Sequence, residues 1–211
     1  MTSVAAAPIV YVVDDDVSIR ESLEHLLRSA GCRPQIFGSA VAFLGSPRVD
    51  IPGCVILDVS LPDLDGLEIQ QRIAHERRAL PIIFITGHRD VPMTVQAMKA
   101  GAVEFLTKPF HEDALMAAVE SAIERSTVAL EQQSELQELD RRFDSLSPRE
   151  QSVMALVVRG LLNKQVAAQL GISEITVKAH RGKVMRKMHA GSLADLVTMA
   201  AQLRLATGPN G

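Results

Sequence analysis

Short, continuous apolar runs, each followed by a stretch with helical spacing, constrain the fold of this chain more than any other feature. The predicted strands are Ile9–Val13, Cys54–Leu57, Ile82–Ile85 and Val103–Leu106, together with a weaker one over Arg33–Phe37. Strands that are apolar throughout, rather than at alternate positions, are typical of a sheet covered by helices on both faces. The sequence therefore predicts an α/β fold with a doubly wound, parallel, five-stranded sheet.

Polar residues lie just past four of these strands. Asp14 and Asp15 follow the first, Asp58 the third, Thr86 the fourth and Lys108 the fifth. In a doubly wound sheet the carboxyl ends of the strands collect at one rim, so these groups should converge. Neighbouring carboxylates repel unless a cation is present, and oxygen ligands suit Mg²⁺. The pattern favours phosphoryl transfer to an aspartate; the alternative is an acidic turn cluster without an ion.

Separate motifs in this region resemble one known family. The matching segments, in order, are VVDDD, ILDVSLPDLDG, FITGH and MKAGAVEFLTKPF. Over residues 8–125 they resemble the receiver domain of two-component response regulators. The resemblance implies the flavodoxin/CheY-like strand order 2-1-3-4-5.

The resemblance also implies roles for the rim residues. Asp58 would be the phosphoacceptor, and Asp14, Asp15, Asp58 and the backbone carbonyl of Ser60 would bind Mg²⁺. Further roles would fall to Thr86 and Lys108 (phosphoryl binding), Phe105 (the aromatic switch) and Pro109 (a cis bond after Lys108). His88 could line the rim, whereas Asp16, Asp63 and Asp65 are expected to be bystanders, the last two solvated.

Charge is distributed unevenly along the chain. Residues 1–145 have a net charge of −9, whereas residues 146–211 carry 9 Lys and Arg against 3 Asp and Glu, a net charge of +6. An acidic body with a small basic domain suggests nucleic acid as the partner of the basic part. A solvated basic face is the alternative.

The basic part has the start and stop signals of a four-helix unit. Ser147, Pro148 and Glu150 form a helix start, and Ser173 begins a third helix that reaches Met188. Apolar packing is expected from Ile175, Val177, Val184, Met185 and Met188. The segment LSPREQSVMALVVRGLLNKQVAAQLGISEITVKAHRGKVMRKM resembles the LuxR-type helix-turn-helix, which together with the receiver is the organisation of FixJ/NarL-type response regulators.

This second resemblance implies a set of DNA contacts. Phosphate contacts would come from Asn163, Lys164, Thr176 and Arg181, and Lys178, Ala179 and Gly182 would face the groove. Position 182 usually carries a polar or basic side chain in the family. The glycine here removes a potential base contact, so Lys178 and Lys183 are expected to contribute more of the readout.

Residues 112–143 lack Pro and Gly and predict one long helix. Its apolar residues follow a rough heptad line (Leu115, Val119, Ala122, Ala129, Leu136, Phe143), which fits a weak coiled coil or a solvated connecting helix. The predicted domains are a receiver over 1–125, a helical linker over 126–145 and a DNA-binding domain over 146–211.

The expected function is phosphorylation-controlled transcriptional regulation, with activation favoured over repression. A histidine kinase would phosphorylate Asp58, and the protein would dimerise, bind promoter DNA and contact RNA polymerase. A regulator that works without phosphorylation, using the receiver only to dimerise, is the alternative. We expect no enzymatic activity beyond slow autodephosphorylation; a haloacid-dehalogenase-type phosphatase, suggested by Asp14-x-Asp16, lacks the expected Gly-Thr.

No secretory or membrane-spanning segment is predicted, and Cys32 and Cys54 cannot form a disulfide framework, so a cytoplasmic protein is expected. Cys54 opens an apolar run and is interpreted as a core residue.

Overall fold

A parallel sheet forms the centre of the first part of the chain. The computed structural model describes residues 6–64, 66–77, 79–87 and 91–206. Within them, five strands pair in parallel in the order β2-β1-β3-β4-β5, as predicted. The strands are β1 (Ile9–Val13), β2 (Arg33–Phe37), β3 (Gly53–Asp58), β4 (Ile82–Thr86) and β5 (Glu104–Thr107). Three strands reach past their apolar runs to a polar residue, because backbone pairing does not depend on side-chain hydropathy.

Helices cover both faces of this sheet. They are α1 (Val17–Ser29), α2 (Ala40–Leu44), α3 (Gly66–Glu76), α4 (Val91–Lys99) and α5 (Glu112–Asp144). Successive strand residues point to opposite faces, so Ile56 packs in one buried cluster with Leu27 and Leu115, while Leu57 packs in the other with Phe43. Two covered faces explain why the three central strands, β1, β3 and β4, are apolar along almost their whole length. Cys54 is fully buried, and burial raises the pKa of its thiol to about 12.

Two aspartates expected to be bystanders act as helix caps. The Asp16 carboxylate accepts hydrogen bonds from the backbone N–H groups of Ser18 and Ile19 at the start of α1. The Asp63 carboxylate accepts one from Val41 N at 2.9 Å, at the start of α2. Asp63 is exposed, as expected, and its carboxylate also satisfies a free N–H of a helix 22 residues away, a role that the sequence analysis does not predict. Asp65 and His88 lie outside the described residues.

Helix α5 is continuous, as predicted, and belongs to two compact units, Met1–Glu131 and Gln132–Gly211. The apparent heptad line joins residues of two separate cores. Leu115, Val119 and Ala122 are buried in the first unit, whereas Phe143 packs in the core of the second. The boundaries 126 and 145 stay a prediction.

The second unit contains the last turns of α5 and four helices in its described part. These are α6 (Pro148–Val157), α7 (Asn163–Leu170), α8 (Glu174–Met188) and α9 (Leu193–Ala206). Ser147 begins α6 with the predicted capping box, and Ser173 caps α8. Gly171 ends α7 at φ 64°, a left-handed conformation that favours glycine. No helix among the described residues is long and apolar enough to cross a membrane.

Candidate functional site

The ends of β1, β3 and β5 bring an amine and two carboxylates into contact. Lys108 Nζ lies 2.8 Å from Asp14 Oδ2 and 2.6 Å from Asp58 Oδ2. Asp14 is 0 % exposed and Asp58 5 % exposed. Asp15 is exposed beside them, and one carboxylate oxygen from each of Asp14, Asp15 and Asp58 lies within 4.8 Å of the others. The sheet topology thus assembles the predicted acidic rim from residues up to 94 positions apart.

Backbone groups fix the orientation of both buried carboxylates. Asp14 Oδ1 accepts a hydrogen bond from Asp16 N at 2.8 Å, and Asp58 Oδ1 accepts one from Ser60 N at 2.9 Å. In each case the second oxygen, Oδ2, binds the Lys108 ammonium group. Each carboxylate is therefore held at both oxygens before any ligand arrives, which is the kind of preorganisation that charge-stabilising sites use.

Burial and ion pairing act in opposite directions on the titration of this site. Burial raises the pKa of Asp14 above its usual value, and the hydrogen bond from Lys108 offsets only part of that effect. Burial alone would lower the pKa of Lys108, but its hydrogen bonds to Asp14 and Asp58 outweigh that effect and the pKa is raised. Lys108 therefore stays cationic at neutral pH.

The acidic cluster has the donor set of a hard divalent cation. Its ligand atoms are carboxylate oxygens, two of them on buried side chains and one on the exposed Asp15. Mg²⁺ prefers such oxygens and keeps several waters of its own, so an open, partly exposed cluster suits it better than a closed cage. The described residues thus fit a metal ion at this rim.

The remaining predicted rim residues lie at neighbouring strand ends. Thr86 is buried and is the last residue of β4. Its neighbour Ile85 pairs with Asp58 across the two strands. The backbone oxygen of Thr86 accepts a hydrogen bond from Lys108 N at 2.7 Å. The Lys108–Pro109 bond is cis, as expected. Phe105 is half-buried, with its ring 6.1 Å from that of Phe84 at 41°. Ser60 follows β3 and is exposed.

Helix α8 presents a basic face in the second unit. Val177, Val184 and Met188 are buried in the core. Lys178, Ala179, Gly182 and Lys183 are exposed. The predicted groove-facing residues therefore lie on the surface of the helix.

The predicted phosphate contacts lie at the edges of that face. Arg181 Nη1 donates a hydrogen bond to Asn163 Oδ1 at 3.2 Å, which joins the middle of α8 to the start of α7. The Thr176 hydroxyl lies 2.8 Å from that of Ser173 at the start of α8, and Lys164 is exposed. Asn163 and Arg181 are thus one hydrogen-bonded pair rather than two independent groups.

One packing expectation is wrong. Ile175 was expected to pack in the core with Val177, but its side chain is 82 % exposed, while Val177 is 0 % exposed. The two residues lie about 200° apart around the helix, so they cannot face the same core. Helical spacing from Val177 to Val184 and Met188 identifies the buried face and leaves Ile175 on the other side.

The sequence analysis does not identify the role of Lys187, a residue of the last turn of α8. Lys187 Nζ lies 2.7 Å from Glu150 Oε2 and donates to Ser145 O at 2.8 Å. Glu150 is 4 % exposed and also accepts from Ser147 N in the capping box. These hydrogen bonds, first that of Lys187, lower the pKa of Glu150 to about 2. The capping box predicts the position of Glu150, but no sequence signal predicts its partner 37 residues away.

Both units of the chain match models of known protein families. Residues 10–120 match the family model described as response regulator receiver domain, and residues 144–200 match the model of bacterial regulatory proteins of the luxR family. A receiver domain implies a kinase as partner, and a LuxR-type domain implies DNA.

The similarity to several known proteins extends over almost the whole chain. Nodulation protein W of Bradyrhizobium diazoefficiens is 52 % identical over 96 % of this chain and 89 % of its own length. The response regulator TmoT of Ectopseudomonas mendocina is 45 % identical over 93 % of this chain and 89 % of its own length. A structure of the response regulator StyR is 46 % identical, with a TM-score of 0.80 over 93 % of this chain and all of its own. The chain belongs to the response regulators that combine a receiver domain with a LuxR-type helix-turn-helix domain.

Proposed function

We propose that Asp58 accepts a phosphoryl group from the phosphohistidine of a sensor kinase and that this event controls DNA binding by the second unit. The observation that carries the proposal is the contact of the Lys108 ammonium with both Asp14 and Asp58 at one strand-end rim. A half-buried lysine held between two buried carboxylates is arranged to stabilise further negative charge next to it.

The chemical step is a displacement at phosphorus. A carboxylate oxygen of Asp58 forms the new P–O bond, the P–N bond to the kinase histidine breaks, and its electron pair stays on the imidazole nitrogen. Lys108 neutralises charge on the phosphoryl oxygens, and the Thr86 hydroxyl donates a hydrogen bond to one of them. Ser60 N, which donates to Asp58 Oδ1, holds the carboxylate in place during the step.

Mg²⁺ would be held by the carboxylates of Asp14, Asp15 and Asp58 and by the Ser60 carbonyl oxygen. When bound, it neutralises charge shared by Asp58 and the phosphoryl group.

Water attack on the acyl phosphate regenerates Asp58, so the protein performs slow autodephosphorylation and no other enzymatic turnover. Because its ligand is promoter DNA, the protein works in the cytoplasm of a bacterial cell.

Phosphorylation changes the surface next to the site. Thr86 moves toward the phosphoryl group, and Phe105, which carries no hydroxyl, exchanges apolar contacts with Phe84 for others. The neighbouring helix α4 already exposes Val95 (46 %) and Met98 (41 %), which supports this surface as the one that dimerises. A dimer presents two α8 helices to two half-sites of a promoter, where the protein activates transcription through contact with RNA polymerase.

The test measures molar mass by light scattering after incubation with Mg²⁺ and a small phosphodonor. We expect the wild-type protein to shift from monomer to dimer and Asp58→Asn to stay monomeric. Asp50→Asn, at an exposed aspartate that precedes β3 and is therefore away from the carboxyl ends of the strands, is the matched control and should behave like wild type. A dimer under every condition would favour the receiver as a constitutive dimerisation module, and no phosphorylation at all would contradict the proposal.

A further inference from the structure

Ile175 is a large apolar side chain that the fold of the second unit does not use. It is 82 % exposed, the highest value among the exposed large hydrophobic side chains of the described residues. It lies in the first turn of α8, directly after Ser173 and Glu174. In a helix-turn-helix, base edges are read by residues near the start of this helix. An isoleucine in that turn presents an apolar surface that has no hydrogen-bonding group.

Gly182 is a second residue that the fold does not require. It lies within helix α8, its φ is not positive, and a Cβ built there would meet nothing within 4 Å. Glycine in a helix interior is destabilising relative to alanine, and no neighbouring atom of the described residues explains it. Glycine is used where a backbone must approach a ligand closely.

Ile175, Ala179 and Gly182 lie on one side of the helix. They are spaced four and three residues apart, which places them in successive turns on the face opposite the buried Val177 and Val184. Lys178 and Lys183 flank this face on its two sides. We refer to Ile175, Ala179 and Gly182 as the smooth face of α8; these three residues have no side-chain hydrogen-bond donor or acceptor. Exposed Arg186 follows Gly182 on the same side of the helix one turn later, and Lys178 and Lys183 border the face.

From this we infer that Ile175 is a specificity-determining residue that contacts the C5-methyl group of a thymine in the major groove, with Gly182 allowing the helix backbone to approach the DNA closely. The thymine methyl is the one apolar feature that a standard base pair presents in that groove, and apolar side chains recognise it. Lys178 and Lys183 would contact phosphates or guanines on either side. This inference rests on the proposed DNA-binding function.

The test uses the full-length protein and thymine analogues. Bound duplexes are selected from a random pool in the presence of Mg²⁺ and phosphodonor, and the selected duplex is resynthesised with deoxyuridine in place of one thymidine at a time. This exchange removes only the methyl group. We expect at least one position at which wild-type affinity falls about fourfold, the effect of losing one buried methyl group.

Ile175→Ala should bind the thymidine and deoxyuridine duplexes equally well at that position. Val41→Ala is the matched control, because Val41 is 63 % exposed in the first unit, and it should keep the wild-type ratio. Equal wild-type affinity for every deoxyuridine duplex, or an unchanged ratio in Ile175→Ala, would overturn the inference while leaving DNA binding intact. Selection of no duplex at all would overturn the DNA-binding function itself.

Gly182→Ala tests the close approach. We expect this variant to unfold at a higher temperature and yet bind the selected duplex more weakly than wild type. Affinity equal to or above that of wild type would overturn the role assigned to Gly182.

Discussion

Lys108 is the residue on which the receiver rim depends electrostatically. Its ammonium lies between two buried carboxylates, so Lys108→Met leaves Asp14 and Asp58 facing each other without a cation. We expect the free energy of unfolding to fall by about 1–3 kcal/mol at neutral pH, the cost of leaving buried polar groups without their partner. Urea unfolding followed by circular dichroism measures this loss.

Added Mg²⁺ should restore part of that stability, because a cation at the acidic cluster replaces the missing charge. Lys99→Met is the control, since Lys99 is exposed at the end of α4. A Lys108→Met protein as stable as Lys99→Met, with or without Mg²⁺, would show that the rim does not need the ammonium group.

Glu150 links the stability of the DNA-binding unit to pH. Its folded pKa of about 2 lies below the ordinary value of 4.5, so the unfolded chain binds the proton more tightly than the folded protein does. The stabilisation is therefore fully present above pH 4.5 and is lost as pH falls toward 2. We expect Glu150→Gln to be less stable than wild type at pH 7 and the difference to shrink over this range in unfolding titrations.

The matched control is Glu131→Gln, at an exposed glutamate of α5, which should change stability little. A stability difference between wild type and Glu150→Gln that stays constant from pH 7 to pH 2 would contradict the role of the Lys187–Glu150 pair.

At the scale of elements, the buried Ser126 links α5 to β3 and to the loop before β4 through two hydrogen bonds. Its hydroxyl accepts a hydrogen bond from Gly53 N at 3.1 Å and donates one to Ala79 O at 2.6 Å, and the residue is 1 % exposed. Ser126→Ala leaves both backbone groups without this partner, so we expect the receiver to lose about 1–3 kcal/mol of stability. Ser134→Ala, on an exposed part of α5, should be neutral in the same chemical-denaturation experiment. Equal stability of the two variants would show that water replaces the hydroxyl.

The sequence predicts a helix or strand well where a single local signal determines its position. It predicts less well those contacts that depend on two residues far apart in the chain. The buried strands follow from runs such as Ile82–Ile85, and the start of α6 from Ser147 and Glu150. Ser126, by contrast, is a polar residue that interrupts the apparent heptad line of α5. Its two hydrogen-bond partners lie 73 and 47 residues away, so local spacing does not reveal why a serine is buried there. The contact of Asp63 with Val41 is hidden for the same reason. Pairings of this kind depend on the finished topology, which local spacing does not contain.

The rim could be predicted because the carboxyl ends of parallel strands lie at one edge of the sheet. The strand assignment alone was therefore enough to predict that Asp14, Asp58 and Lys108 lie close together. The smooth face of α8 could not be recognised in the same way. Ile175 looks like a core residue when read as part of an apolar set, and only the position of Val177 on the opposite side of the helix reveals its exposure.

At the scale of the whole molecule, the two parts of the chain have opposite charge. Residues 1–145 carry a net charge of −9 and residues 146–211 one of +6, so the smaller, basic part provides the attraction to DNA while the larger, acidic part opposes it. Each protein molecule that binds DNA neutralises a set of phosphates and releases their counterions. The salt dependence of the affinity is proportional to the number of phosphates neutralised. That dependence therefore reports how many copies of the chain are bound.

If phosphorylation recruits two copies to two half-sites, the number of phosphate contacts doubles. The slope of log affinity against log salt concentration, about −0.9 per phosphate neutralised, should then become about twice as steep after treatment with Mg²⁺ and phosphodonor. Fluorescence anisotropy with a selected duplex at several salt concentrations measures the slope, and Asp58→Asn should show no change on treatment. A slope that does not change in the wild-type protein, with higher affinity all the same, would mean that phosphorylation frees α8 within one copy rather than recruiting a second.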